Sequence, residues 1–154
     1  MPTPENVRLV RVNEDGSPAE AQLDLPPVAR ETLAATAANY RNSGFAIPWI
    51  GYLAVRGDEC VGGCAFKSPP VGNRVEIAYF TFPAYEGRGF ATQMARALIE
   101  VACLAESGVL ITARTLPEEG ASTKILRNLN FKLIGTVEDP EDGAVWEWHL
   151  KSSP

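Results

Sequence analysis

The most restrictive feature of this sequence is a pair of closely spaced glycines, Gly87 and Gly89, between a strand pattern and a helix pattern. Residues 74–82, RVEIAYFTF, carry apolar side chains at positions facing both sides, which is typical of a central strand. Residues 87–106 follow as a helix with one apolar stripe. A strand that enters a helix through glycines leaves free backbone N–H groups at the helix start. The turn is therefore either a bend alone or a site that holds an anion.

The remaining residues predict a mixed sheet with helices packed on it, an α/β (α+β) fold class. The predicted strands cover residues 5–12, 49–55, 60–66, 74–82, 109–114, 131–138 and 144–150. The predicted helices cover residues 26–41, 87–106 and 121–130. Gly44 is expected to end the first helix. The chain has 154 residues, so we expect residues 1–154 to form a single domain.

Composition excludes several classes of protein. The formal net charge of −5 argues against a general nucleic-acid binder, because such proteins usually present a basic face. The N-terminal residues lack the apolar core of a signal peptide, and no apolar run is long enough to span a bilayer. Cys60, Cys64 and Cys103 form no CxxC pair, and His149 is the single histidine, which is too few for a zinc site. We therefore expect a cytoplasmic protein with no metal, no nucleic-acid partner and no membrane partner.

The glycine turn does not by itself identify a ligand. Arg88 and Arg96 would add positive charge to the amides of residues 87–92, and a pyrophosphate would suit such a site. The dinucleotide fingerprint requires a further glycine where Thr92 stands, and the lysine of a phosphate-binding loop is absent. For a lone G-x-G pattern, a tight turn without a ligand is the simpler interpretation.

Three segments together resemble the GNAT superfamily of acyl-CoA N-acyltransferases. EIAYFTFPAYEGRGFAT, residues 76–92, is similar to the family's motif A, in which a strand, a proline and a glycine-rich turn precede a helix. TLPEEGASTKILRNLNF, residues 115–131, is similar to its second signature. The final G-x-V-x-x-P-x-D-G-x-V-W-x-W pattern is similar to its last hairpin. The resemblance covers about residues 48 to 150 and is closest to the branch related to ribosomal-protein N-terminal acetyltransferases.

This resemblance implies the GNAT fold, a mixed and mostly antiparallel sheet of six to seven strands with flanking helices. The fourth and fifth strands, residues 74–82 and 109–114, would splay apart, and the fourth would carry a bulge. The implied reaction moves an acetyl group from acetyl-CoA to a primary amine by direct transfer in a ternary complex. The amine would belong to a protein N-terminus or to a small molecule.

The resemblance also assigns a site for coenzyme A (CoA). The pantetheine arm would enter the splay and pair with the backbone near residues 80–82, and the pyrophosphate would rest on the amides of residues 87–92. The implied CoA-binding residues are Phe80, Thr81, Phe82, Glu86, Gly87, Arg88, Gly89, Phe90, Ala91, Thr92 and Ser122.

Four positions depart from the family pattern. Glu86 replaces Gln or Arg and would repel a pyrophosphate unless it points away or pairs with a cation such as Arg88. Glu119 replaces an asparagine, and Asn130 replaces a glycine, although asparagine also tolerates a left-handed helix cap. Leu126 occupies the position of the tyrosine that protonates the leaving thiolate in many members.

Glu76 is the candidate general base. It lies in an otherwise apolar strand, where burial raises the pKa of a carboxyl group, and glutamate is common at this point in the related branch. The alternative is a structural carboxylate that pairs with Arg74 or another cation, or faces water. Ser122 is a second catalytic candidate near the CoA thiol, or only the N-cap of its helix.

Other reactive side chains have simpler interpretations. Tyr79 and Tyr85 are expected to be a core and a surface aromatic residue, and His149 to face solvent or an edge. A covalent acyl-cysteine route is an alternative, but no base adjoins the three cysteines in sequence, so buried apolar thiols are the better default.

Two other functions remain open from the sequence. One is a CoA-binding module with little or no transferase activity, which Leu126 and Glu86 favour. The other is a structural domain whose glycine turn binds nothing. The acceptor amine, the acyl chain and the oligomeric state are undecided, with a homodimer among the options.

Overall fold

A computed structural model of the chain describes residues 6–151, so residue 5 of the first predicted strand lies outside the described part. Seven strands and three α-helices occur within this range. In chain order they are β1 Arg8–Arg11, α1 Pro27–Ser43, β2 Gly51–Arg56, β3 Glu59–Phe66, β4 Arg74–Thr81, α2 Phe90–Ala105, β5 Leu110–Thr115, α3 Ala121–Asn128, β6 Lys132–Asp139 and β7 Gly143–Lys151. Each predicted element is present at its predicted place in the chain.

Helix boundaries follow local backbone chemistry. Helix α2 begins at Phe90 and not at residue 87, because Gly87 and Gly89 have φ of 76° and 84°, a left-handed conformation that a right-handed helix cannot include. Gly44, with φ of 93°, ends α1 as predicted. Asn130 follows α3 with φ of 73°, which confirms that asparagine adopts the left-handed cap there.

The strands form one sheet in the order β1-β2-β3-β4-β5-β7-β6. Neighbouring strands are antiparallel throughout, except that β4 and β5 run parallel. The predicted mixed and mostly antiparallel sheet of six to seven strands is therefore confirmed.

The two parallel strands separate after a short contact. Residues 74–76 of β4 pair with residues 110–112 of β5. Beyond that point β4 continues along β3 as far as Thr81, while β5 continues along β7 as far as Thr115. The predicted splay between the fourth and fifth strands is therefore confirmed, and it leaves one edge of β4 without a partner strand.

The bulge implied for β4 is wrong for its pairing with β3. The register between residues 62–66 and 77–81 is continuous, and the nearest register shift lies between Ala54 and Val55 in the β2–β3 pair. The splay needs no bulge there, because β5 leaves β4 by following the antiparallel ladder of β7.

Helices cover the two faces of the sheet unequally. On one face α2 packs so closely that a Cβ on Gly62 would lie 3.0 Å from Met94, and α3 places Arg127 over the ring of Trp148. On the other face α1 packs against β3, where a Cβ on Gly63 would lie 2.9 Å from Thr32. On this second face, the described helices leave strands β4 to β7 open.

The core cluster includes buried residues of the sheet and of both α1 and α2. The apolar stripe predicted on α2 is buried at Met94, Leu98 and Ala102, which belong to one buried cluster with strand residues such as Ala54 and Ile111. The helices within residues 6–151 include none with the length and apolar character needed to cross a membrane.

Candidate active site

The larger cavity of the site, about 700 Å³, opens where β4 and β5 part. The end of β4, the turn before α2 and one side of α3 surround it. The residues of the predicted CoA set that line it are Phe80, Thr81, Glu86, Gly87, Gly89, Phe90, Ala91, Thr92 and Ser122. The fold therefore brings together two segments, residues 80–92 and the start of α3, that are about thirty residues apart in sequence.

The turn before α2 leaves a row of unused hydrogen-bond donors. Within the part of the chain that the structure describes, none of the N–H groups of residues 87–92 donates a hydrogen bond. Those of residues 90–92 belong to the first turn of α2, where no preceding carbonyl is in reach. A Cβ built on Gly87 or Gly89 would meet no atom within 4 Å, so the space beside these amides is open. The arrangement fits an anion such as a pyrophosphate.

Two residues of the predicted CoA set lie elsewhere. Phe82 is buried in the core, and its N–H donates to the carbonyl of Val61 at 2.9 Å, so its backbone donor is already used. Arg88 does not line the cavity, since its guanidinium lies 5.2 Å from the ring centre of Phe90 and 5.9 Å from that of Tyr85. A cation over aromatic faces is held there by their negative electrostatic potential.

The charges around the cavity differ from expectation. Glu86 lines the cavity, and within residues 6–151 it forms no ion pair with Arg88 or another cation. Arg96 is exposed on α2 and does not line the cavity. Lys124 of α3 lines the wall opposite the glycine turn and supplies the positive charge that was expected from the arginines. Sequence reasoning missed Lys124, although it lies two residues after Ser122 in the segment matched to the second signature.

A second, smaller cavity of about 210 Å³ lies on the open side of the splay. Glu76 lines it, and its Oε2 lies 3.2 Å from the Lys67 ammonium. The cation beside Glu76 is thus Lys67 and not Arg74, because Lys67 follows β3 and its N–H bonds the Glu76 carbonyl. We refer to this cavity as the inner cavity.

The two cavities have two lining residues in common, Tyr79 and Ser122. The larger cavity is bordered by the free amides of the glycine turn, and the smaller contains the candidate base. Tyr79 and Ser122 therefore mark the point at which ligands in the two cavities would meet.

Ser122 does not cap its helix. Gly120 is the N-cap of α3, and its N–H donates to the Thr123 hydroxyl at 2.9 Å. Ser122 is exposed to the cavities, and its hydroxyl makes no hydrogen bond within residues 6–151. The N-cap interpretation of Ser122 is wrong, because Gly120 is the N-cap residue and the Thr123 hydroxyl makes the side-chain hydrogen bond at the start of α3.

Tyr79 is more than a core aromatic residue. It packs against the core, yet it lines both cavities, and its hydroxyl makes no hydrogen bond in the described chain. Burial raises the pKa of Tyr79 to about 12, so the phenol is neutral at physiological pH and can donate a hydrogen bond. Leu126, in contrast, is fully buried and offers no polar group to the site.

A buried carboxylate, that of Glu147, contacts three basic side chains on the open face of the sheet. The Glu147 carboxylate accepts hydrogen bonds from Arg74 at 2.9 Å and Arg114 at 3.2 Å, and lies 2.8 Å from the His149 ring nitrogen. Burial would raise the pKa of this carboxyl group, but the hydrogen bonds from His149 and the two arginines outweigh burial and lower the pKa. The prediction that His149 faces solvent is wrong, because its ring is mostly enclosed against Glu147.

The cysteines do not belong to the site. Cys60 and Cys64 are buried free thiols, Cys103 is a partly buried one, and neither cavity is lined by any of them. Burial raises the pKa of the Cys60 thiol to about 11, and it also raises that of Cys64. A thiol with a raised pKa is a poor nucleophile, so the geometry gives no support to an acyl-cysteine route.

Comparison with known proteins places these features in one family. The family model described as Acetyltransferase (GNAT) domain matches residues 5–132. A curated relative, the uncharacterized N-acetyltransferase p20 of Bacillus licheniformis, is 33% identical over 85 residues. That match covers 54% of this chain and 48% of the relative, so the chain spans about half the length of the curated relative it matches.

Solved structures share the fold at low sequence identity. RimL, a ribosomal L7/L12 alpha-N-protein acetyltransferase solved in complex with coenzyme A, superposes with a TM-score of 0.69 at 17% identity, covering 98% of this chain and 97% of that one. The microcin C7 self-immunity acetyltransferase MccE, solved with acetyl-CoA and AMP, superposes with a TM-score of 0.62 at 14% identity, covering 80% and 70%. The splayed sheet, the glycine turn and the family match together show that this chain belongs to the acetyltransferase (GNAT) domain family.

Proposed function

We propose that the protein is an N-acetyltransferase that moves an acetyl group from acetyl-CoA to a primary amine. The observation that carries the proposal is the meeting of the two cavities at Tyr79 and Ser122, one cavity with free amides and the other with a carboxylate. Direct transfer needs this arrangement, because donor and acceptor must be held together.

The proposed CoA site uses the backbone of the chain. The amides of residues 87–92 and the start of α2 would hold the pyrophosphate, with Lys124 as the nearby cation. The edge of β4 near Phe80 and Thr81 has no partner strand on the splayed side, so its outward backbone groups are free to pair with the pantetheine amides. Phe82 and the side chain of Arg88 are not part of this proposed contact set.

The proposed chemistry uses the side chains between the cavities. The amine nitrogen bonds to the thioester carbon, the carbon–sulfur bond breaks, and the amine loses a proton while the thiolate gains one. The acceptor ammonium would displace Lys67 from the carboxylate and give one proton to Glu76, which leaves the neutral amine that attacks. The second proton leaves the nitrogen as the carbon–nitrogen bond forms and passes to the thiolate. Ser122, with an unused hydroxyl, would donate a hydrogen bond near the sulfur.

Acetyl-CoA is expected to raise the melting temperature of the protein. At a concentration of one hundred times Kd, a ligand adds about 2.7 kcal/mol to the free energy of unfolding. This corresponds to a rise in melting temperature of roughly 5–10 °C for a chain of this size. Desulfo-CoA should produce a similar shift, since it retains both the pyrophosphate and the pantetheine arm. NAD should produce none, because it has a pyrophosphate but no pantetheine arm to pair with the edge of β4. Equal shifts in melting temperature with CoA and NAD, or no shift with millimolar acetyl-CoA, would contradict the proposed site.

Replacing Glu76 with glutamine is expected to lower kcat about a hundredfold, because the glutamine cannot accept the amine proton. The check is the pH profile of kcat/KM with a saturating CoA donor. The matched control is Glu100→Gln, which removes an exposed carboxylate from α2 and should leave the profile unchanged. An unchanged profile for Glu76→Gln would remove Glu76 from the role of base.

A CoA-binding module without transferase activity is the second candidate function. The observation that favours it is the complete burial of Leu126, where many members carry a proton-donating tyrosine. A retained CoA shift combined with no turnover of a broad amine panel would establish this candidate.

A further inference from the structure

The proposed transfer requires a carrier for its second proton. The acceptor ammonium gives the first proton to Glu76, so this carboxyl group is already protonated when the neutral amine attacks. The nitrogen must then lose another proton, and the leaving sulfur must gain one. A side chain that can both accept and donate a proton, and that lies between nitrogen and sulfur, would complete this exchange.

Tyr79 lies at the place where such a carrier is needed. Among residues 6–151, it is one of two that line both the larger cavity and the inner cavity. Side chains alternate between the two faces of a sheet, so Tyr79 and Glu76, three positions apart on β4, project to opposite faces. A thioester held in the splay would therefore have the carboxylate on one side and the phenol on the other.

The hydroxyl of Tyr79 has no partner within the fold. The ring packs against the core, yet the hydroxyl makes no hydrogen bond within residues 6–151. The hydroxyl of a buried tyrosine usually has a partner, because it has lost its hydrogen bonds to water. Tyr52 is the usual case, since its hydroxyl donates to the Pro48 carbonyl at 2.7 Å. The Tyr79 hydroxyl is thus available to a ligand in the two cavities.

The acidity of the phenol restricts how Tyr79 can act. Burial raises the pKa of Tyr79 to about 12. The pKa of a simple thiol is about 8.5, so a phenol that only donated to the thiolate would give its proton to a weaker base than the phenolate it leaves behind. This obstacle disappears if the phenol takes the proton of the nitrogen in the same step, because no phenolate is then formed.

We infer that Tyr79 is a catalytic residue that relays the second proton of the amine to the leaving sulfur. The nitrogen lone pair bonds to the thioester carbon, and the carbon–sulfur bond breaks with its electron pair going to sulfur. In the same step a proton passes from nitrogen to the Tyr79 oxygen, and the phenol proton passes to sulfur. The products are the amide, the CoA thiol and an unchanged phenol. This inference rests on the proposed transferase function and assigns a residue to its second proton transfer.

The variant Tyr79→Phe tests the relay, because it removes the hydroxyl and keeps the ring. The acceptor is whichever of butylamine, putrescine and a peptide with an N-terminal serine the wild type acetylates fastest. With acetyl-CoA bound, we expect the single-turnover rate to fall about a hundredfold. The Kd of acetyl-CoA and the melting temperature should stay unchanged, since the hydroxyl has no partner in the described chain.

Tyr52→Phe is the matched control. Burial raises the pKa of Tyr52 to about 12 as well, but Tyr52 lines neither cavity. This variant should lower the melting temperature, because the Pro48 carbonyl loses its hydrogen bond, and it should leave the turnover rate unchanged. The two variants therefore separate loss of catalysis from loss of stability.

A solvent isotope measurement distinguishes a relay from a structural role of the ring. Two protons move in one step of a relay, so the single-turnover rate of the wild type should fall along a curve as the deuterium fraction of the solvent rises. Tyr79→Phe should abolish this curvature, and Tyr52→Phe should retain it. A linear plot for the wild type overturns the relay.

The other outcomes also decide the question. A Tyr79→Phe rate within twofold of the wild type overturns the inference while the transferase proposal stands. Loss of the curvature in Ser122→Ala, with the curvature retained in Tyr79→Phe, assigns the relay to Ser122 and overturns it too. If the wild type acetylates none of the acceptors although acetyl-CoA raises its melting temperature, the transferase proposal and the relay are both overturned.

Discussion

Replacing Gly89 with aspartate is expected to weaken acetyl-CoA binding about a thousandfold. Gly89 has φ of 84° and lies beside the free amides of residues 87–92. An aspartate there would place a carboxylate near the pyrophosphate. Two unit charges 4 Å apart repel by about 4 kcal/mol at an effective dielectric constant of 20, which is about a thousandfold in affinity. Isothermal titration with acetyl-CoA measures the effect.

Aspartate is chosen because it tolerates a left-handed backbone better than most side chains, so the variant is expected to fold. Gly108→Asp is the matched control, since Gly108 has φ of 88°, has open space around its Cβ position and lies at the other end of α2. Gly89→Asn separates the added volume from the added charge. If Gly108→Asp weakens binding as much as Gly89→Asp, the glycine turn is not the pyrophosphate site.

Replacing Glu147 with alanine is expected to lower the free energy of unfolding by about 3 kcal/mol. Glu147 is buried, and its removal leaves Arg74 and His149 without their carboxylate partner within residues 6–151. Arg114 would keep one carboxylate partner in this range, Asp139. The loss is this large because the partly enclosed Arg114 and His149 lose a hydrogen-bond partner, whereas Arg74, whose side chain is 46% exposed, can be solvated by water. Urea unfolding at pH 7 measures the difference.

The same variant predicts a dependence on pH. The pKa of Glu147 is lower in the folded protein than its ordinary value of 4.5. Glu147 therefore stabilises the fold above the unfolded-state pKa, and this contribution disappears as the pH falls through the folded-state pKa. The difference between the wild type and Glu147→Ala should shrink below about pH 4.

Glu138→Ala is the control for this measurement, since it removes an exposed carboxylate from the neighbouring strand β6. We expect a change within about 0.5 kcal/mol. Equal losses for the two variants would mean that the network around Glu147 has no special role in stability.

Local sequence patterns were sufficient for the elements and for the glycine turn before α2. Strand and helix periodicities depend on neighbours a few residues apart, so each element could be placed from the sequence. The backbone conformations of Gly89 and Asn130 could also be predicted, because few residue types adopt the left-handed conformation that a tight turn or helix cap requires. The splay was expected only from the family resemblance, since strand pairing is not a local property.

The charge partners could not be predicted from local patterns. Arg74 was a candidate partner of Glu76, two residues away, but its partner is Glu147, which lies 73 residues further along the chain. Lys67 reaches Glu76 because the β3–β4 hairpin places them side by side. Phe82 was assigned to the ligand, yet its N–H completes the pairing with Val61.

The sequence by itself determined the order of strands and helices, the glycine turn and the identity of the family, because these depend on short-range periodicity and contiguous motifs. The tertiary structure decided which cation neutralises which carboxylate, which hydroxyl groups lie between the two cavities, and which charged side chains line each cavity. Those features depend on sheet register and helix packing, which bring together residues far apart in sequence.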